Sequence, residues 1–275
     1  FLTMVETSIS PVKNLAEYFN TEISNLNPHN RGHSFYVYGT LPLFLVRYVA
    51  EWIQKTGYDQ VFLVGRFLSA MADLLTVLMV YLIAVRLYRK PRLGLLAAAF
   101  AALSVLPIQL SHYFTVDTFT NFFVFLAFYF AVRVLTQPQT AIGEGESAAP
   151  DSPGADPPQE ELRRLTGAWE GVWPYRWFGV ALGRALASKV SAAPLALLLP
   201  AGALIAYLRL PVEEQRRQWM LILRNLVLAA ALSVLVFRIF QPYAFSGPGF
   251  FGLVPNERWV SNLSELSSQS NGDVD

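Results

Sequence analysis

The chain contains no cysteine, although it is 275 residues long. It can therefore form no disulfide, no thiolate nucleophile and no Cys-ligated zinc site. It also has little charge, because Asp, Glu, Lys and Arg together make up only 15% of its residues, whereas soluble domains carry about a quarter. The net charge of +1 gives no general attraction for nucleic acid. The shortage of solvating groups instead favours a protein whose surface faces lipid.

Long apolar runs separate the few clusters of charge. Residues 93–110 carry no charged side chain, whereas the preceding "RLYRKPR" at Arg86–Arg92 is strongly basic. A helix needs about 20 apolar residues to cross the hydrocarbon core of a membrane. The sequence therefore predicts an all-α protein, a polytopic bundle of transmembrane helices.

The hydropathy pattern divides the chain into seven segments. The basic cluster at 86–92 marks a cytoplasmic end. Basic residues also flank both ends of 177–208, which predicts a hairpin with Lys189 near its turn on the outer side. The predicted segments are an extracytoplasmic loop at 1–60 with an interfacial helix in Phe35–Ile53, three spans at 61–135, a disordered Pro-rich acidic cytoplasmic loop at 136–174, the transmembrane hairpin at 175–208, a cytoplasmic loop at 209–220, a span at 221–241 and an extracytoplasmic loop at 242–275.

Ionisable residues in apolar spans are costly, so each is a candidate for function. Four of them, Arg66, Asp117, Lys189 and Arg238, are predicted at the outer ends or turns of spans. Cations beside a carboxylate suit a phosphate-bearing ligand whose tail lies in lipid. Simpler explanations stay open: Asp117 could only cap its helix, Arg66 could pair with an acidic neighbour, and Arg238 could extend to lipid headgroups.

Other polar residues are weaker candidates. His29, His33 and His112 all fall on the predicted outer side. They lack the spacing of a metal site, so polar loop histidines are the favoured interpretation and a divalent metal is possible but unsupported. Asp73, deeper in its span, could pair with a neighbouring helix. Asn262–Ser264 is a glycosylation sequon by pattern only.

The order of these features resembles the membrane module of GT-C glycosyltransferases. The resemblance is to glycosyltransferase family 39, which includes protein O-mannosyltransferases and aminoarabinose transferases. It implies an enzyme that moves a sugar from a polyprenyl-phosphate carrier to an acceptor at the outer face of a bacterial inner membrane. It rests on "GHSFYVYGTLPLF" (Gly32–Phe44), "GRFLSAMADLLTVLMVYLIAVRLY" (Gly65–Tyr88), "LPIQLSHYFTVDTFTNFFVFLAFY" (Leu106–Tyr129) and "FGVALGRALASKVSAAPLALLLP" (Phe178–Pro200).

The resemblance also implies roles for particular residues. Asp117 would be a supporting acid in a single inverting displacement, and the principal base is expected upstream of Phe1, so that these residues alone would be inactive. No cofactor is implied apart from the lipid-phosphate sugar, which is the substrate. The implied donor-phosphate ligands are Arg66, Lys189 and Arg238, and the implied pocket residues are His33, Tyr36, His112 and Tyr243.

Two alternatives from other classes remain at this stage. A transporter or flippase for a lipid-linked or anionic solute could use the same charges as a relay. A structural membrane subunit would have no site at all. Inverted repeats and charges at the bilayer midplane would favour transport, whereas long structured outer loops favour the transferase.

Overall fold

The computed structural model describes residues 15–137 and 157–271, and within 157–170 it describes the helix but not the side chains. Most of the described residues are helical, and Phe245 and Pro255 form an isolated antiparallel bridge. The helices are α1 (Leu15–Tyr18), α2 (Leu41–Trp52), α3 (Tyr58–Tyr88), α4 (Pro91–Ala102), α5 (Val105–Ser111), α6 (Val116–Leu135), α7 (Pro157–Ser188), α8 (Leu198–Leu208), α9 (Val212–Phe240) and α10 (Glu257–Asn271), with 3-10 turns at Pro28–Arg31, Val190–Leu197 and Pro242–Ala244.

Four helical stretches are long and apolar enough to cross a membrane. They are α3, α6, the continuous stretch Val190–Leu208 and α9. The all-α transmembrane bundle predicted from the sequence is thereby confirmed.

A fifth crossing is formed only if α4 and α5 count as one span, because they meet at an angle of 61°. The sequence predicts one uninterrupted span at 93–110. Two features account for the bend. Pro107 has no N–H to continue the helix, and the Ser104 hydroxyl donates to the Phe100 carbonyl in the last turn of α4.

Helix α7 differs most from the sequence-based prediction. It begins at Pro157, inside the loop predicted to be disordered at 136–174. Proline is favoured at the first position of a helix, where its missing N–H costs nothing. Residues 138–156 of that predicted loop lie outside the described residues.

Contacts between helices show that the chain reverses direction at Lys189. Helices α6 and α7 are antiparallel, because Phe130 stacks on Trp177 at one end and Asp117 meets Lys189 at the other. After Lys189 the chain returns along α6, where Gly202 approaches Ala131. Residues 171–208 therefore form a helical hairpin that turns at Lys189.

Helix α7 packs tightly because of two glycines one turn apart. Gly179 lies against the backbone of Ala229 and Gly183 against that of Ser233, so α7 and α9 run parallel in close contact. Small residues at this spacing let membrane helices approach each other. Phe178, Ala181 and Ala185 are also buried. The protein, rather than lipid, thus surrounds this part of α7, which explains why it needs less hydropathy than its neighbours.

The bundle has two different ends. Arg86 on α3 donates to the Thr136 hydroxyl after α6 over 2.8 Å, at an end we call the basic end because the clusters at 86–92 and 209–217 lie there. At the opposite end, the loop end, residues 15–57 pack on residues 241–271. Tyr18 donates to the Ile239 carbonyl over 2.6 Å, and the Thr21 hydroxyl donates to the Phe245 carbonyl. Together these two stretches form a cap on the bundle.

Helix α2 lies within the segment predicted to be an amphipathic interfacial helix. Its inner face buries Leu43, Phe44 and Val46 in the cap. Its outer face leaves Tyr48 and Trp52 exposed, Trp52 to 84%. Exposed aromatic side chains of this kind are typical of the boundary between lipid and water.

Candidate active site at the loop end

Asp117 and Lys189 form an ion pair at the loop end. The Lys189 Nζ donates to an Asp117 carboxylate oxygen over 2.7 Å. Asp117 lies in the first turn of α6, and Lys189 lies between α7 and the 3-10 turn that follows it. Both side chains are more than a third exposed. Exposed pairs contribute only about 0–1 kcal/mol to stability, so fold stability alone is a weak reason for this pair.

Asp117 is not the N-cap of its helix. Thr115 occupies that position, with an extended backbone and no side-chain hydrogen bond to the first turn. The Thr115 hydroxyl is buried and has no hydrogen-bond partner among the described residues. The explanation of Asp117 as only a cap is therefore replaced by a pairing with Lys189. The first N–H groups of α6 have no side-chain cap.

The backbone beside Lys189 is held by a loop of the cap. The Gly39 N–H donates to the carbonyl oxygen of Ser188 over 2.9 Å. A Cβ at position 39 would overlap the Ala187 carbonyl group, so only glycine fits this approach. Thr40 is fixed in turn, because the Gln241 side-chain oxygen accepts from its N–H over 2.6 Å and from its hydroxyl over 2.7 Å.

Tyr36 and Tyr243, two predicted pocket residues, lie inside the cap. The Tyr36 hydroxyl donates to the Gly39 carbonyl over 3.1 Å, and the Tyr243 hydroxyl lies 2.8 Å from that of Ser24. Burial raises the pKa of both tyrosines, so both remain neutral hydrogen-bonding groups. The structure gives Tyr36 the role of supporting the Gly39 turn, and Tyr243 that of packing the cap.

The histidines lie at the same end but do not meet the ion pair in any hydrogen bond of the described residues. His112 is exposed and its Nδ1 lies 2.6 Å from the Ile108 carbonyl oxygen, at the end of α5. His33 is partly buried, and its carbonyl oxygen lies 3.0 Å from the His29 Nδ1. Burial lowers the pKa of His29. Within the described part of the chain, no three His, Asp or Glu side chains are grouped as a metal site would require.

Arg66 lies on α3 at the level of the ion pair. Its neighbour Gly65 packs against the Phe114 ring, three residues before Asp117. The Arg66 guanidinium lies over the Phe62 ring, 5.3 Å from its centre. Arg66 is thus at the predicted end of the bundle, on a neighbouring helix. Asp73, two turns further along α3, is partly buried.

Arg238 lies buried inside the cap. It is 1% exposed, so it does not extend to lipid headgroups. Its guanidinium donates to three backbone carbonyls, those of Phe250 over 3.0 Å, Pro242 over 2.9 Å and Gly249 over 2.7 Å. The rings of Phe19 and Phe245 each lie 5.0 Å from it. With its donors used in this way, Arg238 holds the loop at 242–250 in place, and a donor phosphate would need to displace those bonds.

Replacing Arg238 by methionine should therefore loosen the cap. Three carbonyls would lose a charged donor, and we expect a destabilisation of about 3 kcal/mol, since hydrogen bonds to charged groups are worth about 1.5–3 kcal/mol. Amide hydrogen exchange should become faster across residues 242–256. Arg258→Met, at an exposed position of the cap, is the matched control and should leave exchange unchanged. Unaltered protection in Arg238→Met with weakened donor binding would instead support the phosphate-binding role.

Arg184 is a candidate that sequence reasoning missed. It lies on α7 just over one turn before Lys189, half-buried, with the rings of Phe123 and Phe240 each 5.9 Å from its guanidinium. The small-residue run around it, "GRALAS", had drawn attention only to Lys189. Its position as a charge within an apolar hairpin was the signal that could have identified it.

An apolar groove opens at Phe240, whose ring lies 5.9 Å from the Arg184 guanidinium. Its volume is about 680 Å³, within the usual range of ligand sites. Phe240, which contacts Arg184, forms one wall, and Leu41, two residues after Gly39, forms another. The lining residues are Leu15, Tyr18, Leu41, Phe44, Leu45, Tyr48, Val49, Trp52 and Phe240.

Asn262 is used inside the cap. It is 6% exposed, and its side-chain amide donates to the carbonyls of Ser34 and Tyr36. The sequon at Asn262–Ser264 is therefore not available for modification in this fold.

Comparison with known proteins finds one family to which the central part of the chain is similar. Residues 44–143 match the family model of dolichyl-phosphate-mannose-protein mannosyltransferases. This match supports the resemblance to GT-C glycosyltransferases over that part of the chain. The match runs from α2 through α6 and thus includes Arg66 and Asp117. No curated protein and no solved structure matches the chain. The helices that are long and apolar enough to cross a membrane support an integral multi-pass membrane protein.

Proposed function

We propose that the protein transfers a sugar from a polyprenyl-phosphate donor to an acceptor at the extracytoplasmic face of its membrane, and that the donor phosphate binds at Lys189. The observation that carries this proposal is the Asp117–Lys189 pair at the loop end, together with the family match over residues 44–143. The basic residues of the opposite end favour the cytoplasm for that end, so the loop end faces outward.

The groups around Lys189 suit a phosphate. Lys189 supplies a positive charge, and the first turn of α6 presents N–H groups that no side chain caps. The positive end of a helix dipole and free N–H groups together favour an anion. Asp117 holds the Lys189 ammonium through its 2.7 Å bond. We assign Asp117 as the residue that positions Lys189, in keeping with a supporting rather than a principal acid.

The apolar groove suits the lipid part of such a donor. Gly39 contacts Ser188, and Leu41 lines the groove two residues later. Because a residue spans at most about 3.6 Å, the backbone at the groove wall lies within roughly 7 Å of that at Gly39. Phe240 forms part of the groove wall, and the Arg184 guanidinium lies 5.9 Å from the centre of its ring. A polyprenyl chain in the groove would therefore have its phosphate near the end of α7 that carries Arg184 and Lys189.

The chemistry is a displacement at the anomeric carbon. A base takes the proton of the acceptor hydroxyl, whose oxygen forms the new bond to the sugar. The bond from that carbon to the phosphate oxygen breaks, and polyprenyl phosphate leaves with the electron pair. Cations fixed in advance near this oxygen stabilise the charge that develops on it, which is a large contribution in enzymes of this kind. None of the described residues is assigned here as the base.

The experiment that tests the proposal compares donor classes. We expect the full-length protein in proteoliposomes to release polyprenyl phosphate from polyprenyl-phosphate mannose in the presence of acceptor-containing membrane extract. A nucleotide-linked mannose should give no product in the same vesicles. If the labelled lipid donor crosses the bilayer with its sugar-phosphate bond intact, the protein is a flippase and the proposal is wrong.

A further inference from the structure

A short hairpin connects α9 to α10 at the loop end. Phe245 and Pro255 form its antiparallel bridge, and the Ser246 N–H donates to the Val254 carbonyl over 2.8 Å. We call residues 245–255 the aromatic loop. Because backbone hydrogen bonds join its two sides, the loop holds its tip in a defined place.

The two phenylalanines at the tip of the aromatic loop differ in their surroundings. Phe250 packs inward, since the centre of its ring lies 5.2 Å from that of Phe19 in the cap. Phe251 is 90% exposed, and Leu253 and Val254 are exposed as well. Loop tips that lie in water carry mainly small and polar residues. Single exposed apolar residues need no explanation, but grouped ones mark contact with a membrane or a protein.

Arg238 fixes the depth of this tip. It lies in the last turn of α9, and its guanidinium donates to the carbonyls of Gly249 and Phe250. With a rise of 1.5 Å per residue, its Cα lies only about 3 Å from the end of the helix at Phe240. Within residues 226–240 Arg238 is the one charged residue, so the apolar part of this span extends to Phe240. The tip therefore lies where the hydrocarbon core meets the headgroups.

The rest of the cap places further apolar side chains at this end. Leu15 on α1 and Tyr48 and Trp52 on α2 are exposed and line the apolar groove. Tyr18 lines the same groove, and it directly precedes Phe19, on which the loop tip packs. The aromatic loop thus lies close to the apolar border of the groove. Aromatic residues are typical of the boundary between lipid and water.

We infer that the aromatic loop is a membrane contact, whose exposed side chains Phe251, Leu253 and Val254 insert among the lipids of the leaflet at the loop end. Lipid is the occupant because the tip is held at the depth of the last turn of a membrane-spanning helix. A partner protein in the aqueous phase would have to reach into the headgroup layer to cover it. The loop thereby holds the cap to the membrane surface through Arg238 and Phe250. This role is independent of sugar transfer.

The test measures the depth of the tip by electron paramagnetic resonance. The 275 residues contain no cysteine. Phe251→Cys in the full-length protein, with any cysteine outside these residues replaced by serine, therefore carries a nitroxide label at a single place. In phosphatidylcholine vesicles that hold isolated copies, collisions of the label with oxygen should exceed those with a water-soluble nickel chelate several-fold. Val254→Cys should show the same preference.

Ser268→Cys is the matched control, because it is an exposed position among the polar residues 267–271 of α10. Its label should collide mainly with the nickel chelate. The same result at both loop positions would place the tip in water and overturn the inference. Protection of both loop positions from both reagents would show that protein covers the tip, and would overturn it as well. Thermal unfolding of each labelled variant checks that the fold is intact.

A second variant tests whether Arg238 sets this depth. In Phe251→Cys/Arg238→Met the bonds to the tip are lost, so the label should become more mobile and its preference for oxygen should fall. Unchanged mobility and unchanged preference would contradict the depth assigned to the loop through Arg238.

Discussion

Lys189→Ala should reduce sugar transfer by the full-length protein roughly 100-fold or more, while the protein still folds and inserts into membranes. The size follows from the loss of one preorganised charge beside a leaving group, which typically costs 10²–10³ in kcat. Folding should be little affected, because the ion pair is more than a third exposed and such pairs contribute only about 0–1 kcal/mol. The measurement is initial-rate release of polyprenyl phosphate at saturating donor, with thermal unfolding in parallel.

Two further variants distinguish a direct role of Lys189 from a structural one. Lys189→Arg keeps a cation and should retain part of the activity. Asp117→Asn removes only the charge that positions Lys189, so it should cost less than Lys189→Ala and should raise the donor KM. Lys55→Ala, an exposed lysine of the loop end, is the matched control and should behave like the wild type. Near-normal transfer by Lys189→Ala would remove the basis of the proposed donor site.

Gly39→Ala should damage both activity and stability, although glycine and alanine differ by one methyl group. The added Cβ would overlap the Ala187 carbonyl group and crowd the Ser188 carbonyl carbon, which is backbone and cannot rotate away. The loop must move and lose its 2.9 Å bond to Ser188. Overpacking of this kind costs about 1–3 kcal/mol. Because Ser188 precedes Lys189 directly, the shift also displaces the ammonium group.

The activity of Gly39→Ala should therefore fall further than its stability explains. The comparison is transfer rate at a temperature where thermal unfolding shows the variant to be folded. Gly57→Ala is the control, because a Cβ there would meet only the flexible side chain of Gln60 at 3.6 Å. Wild-type activity in Gly39→Ala would show that the contact with Ser188 does not position Lys189.

The donor site was predictable in part. The basic clusters between apolar runs mark one side of the membrane, and this pattern can be read from local composition. It therefore predicts that Asp117 and Lys189 lie at the same, opposite end of the bundle. Their bond was not predictable, because the two residues are 72 positions apart in the sequence and no local pattern states which helices are neighbours. For the same reason the sequence offered no acid beside Lys189, whereas the structure supplies Asp117.

The roles of three other residues depended on packing. Arg238 looked like a cation at the end of a span, but the fold surrounds it with backbone carbonyls of a loop that follows it in the sequence. Gly39 has no side chain that could react, and only its close contact with Ala187 and Ser188 at the end of α7 gives it a role. Arg184 lies within a recognised motif, but only the fold brings it to Phe240 of α9, a residue that lines the apolar groove.

The sequence by itself determined the class of the protein, the helical character of its spans, which ends are basic and the resemblance to GT-C glycosyltransferases. These follow from hydropathy, charge and the order of motifs, which are properties of neighbouring residues. The tertiary structure decided the bend between α4 and α5, the pairing of Asp117 with Lys189 and the burial of Arg238. Each of these depends on contacts between residues that are far apart in the sequence. Such contacts form only when the helices pack against each other, and local sequence patterns do not specify which helices pack together.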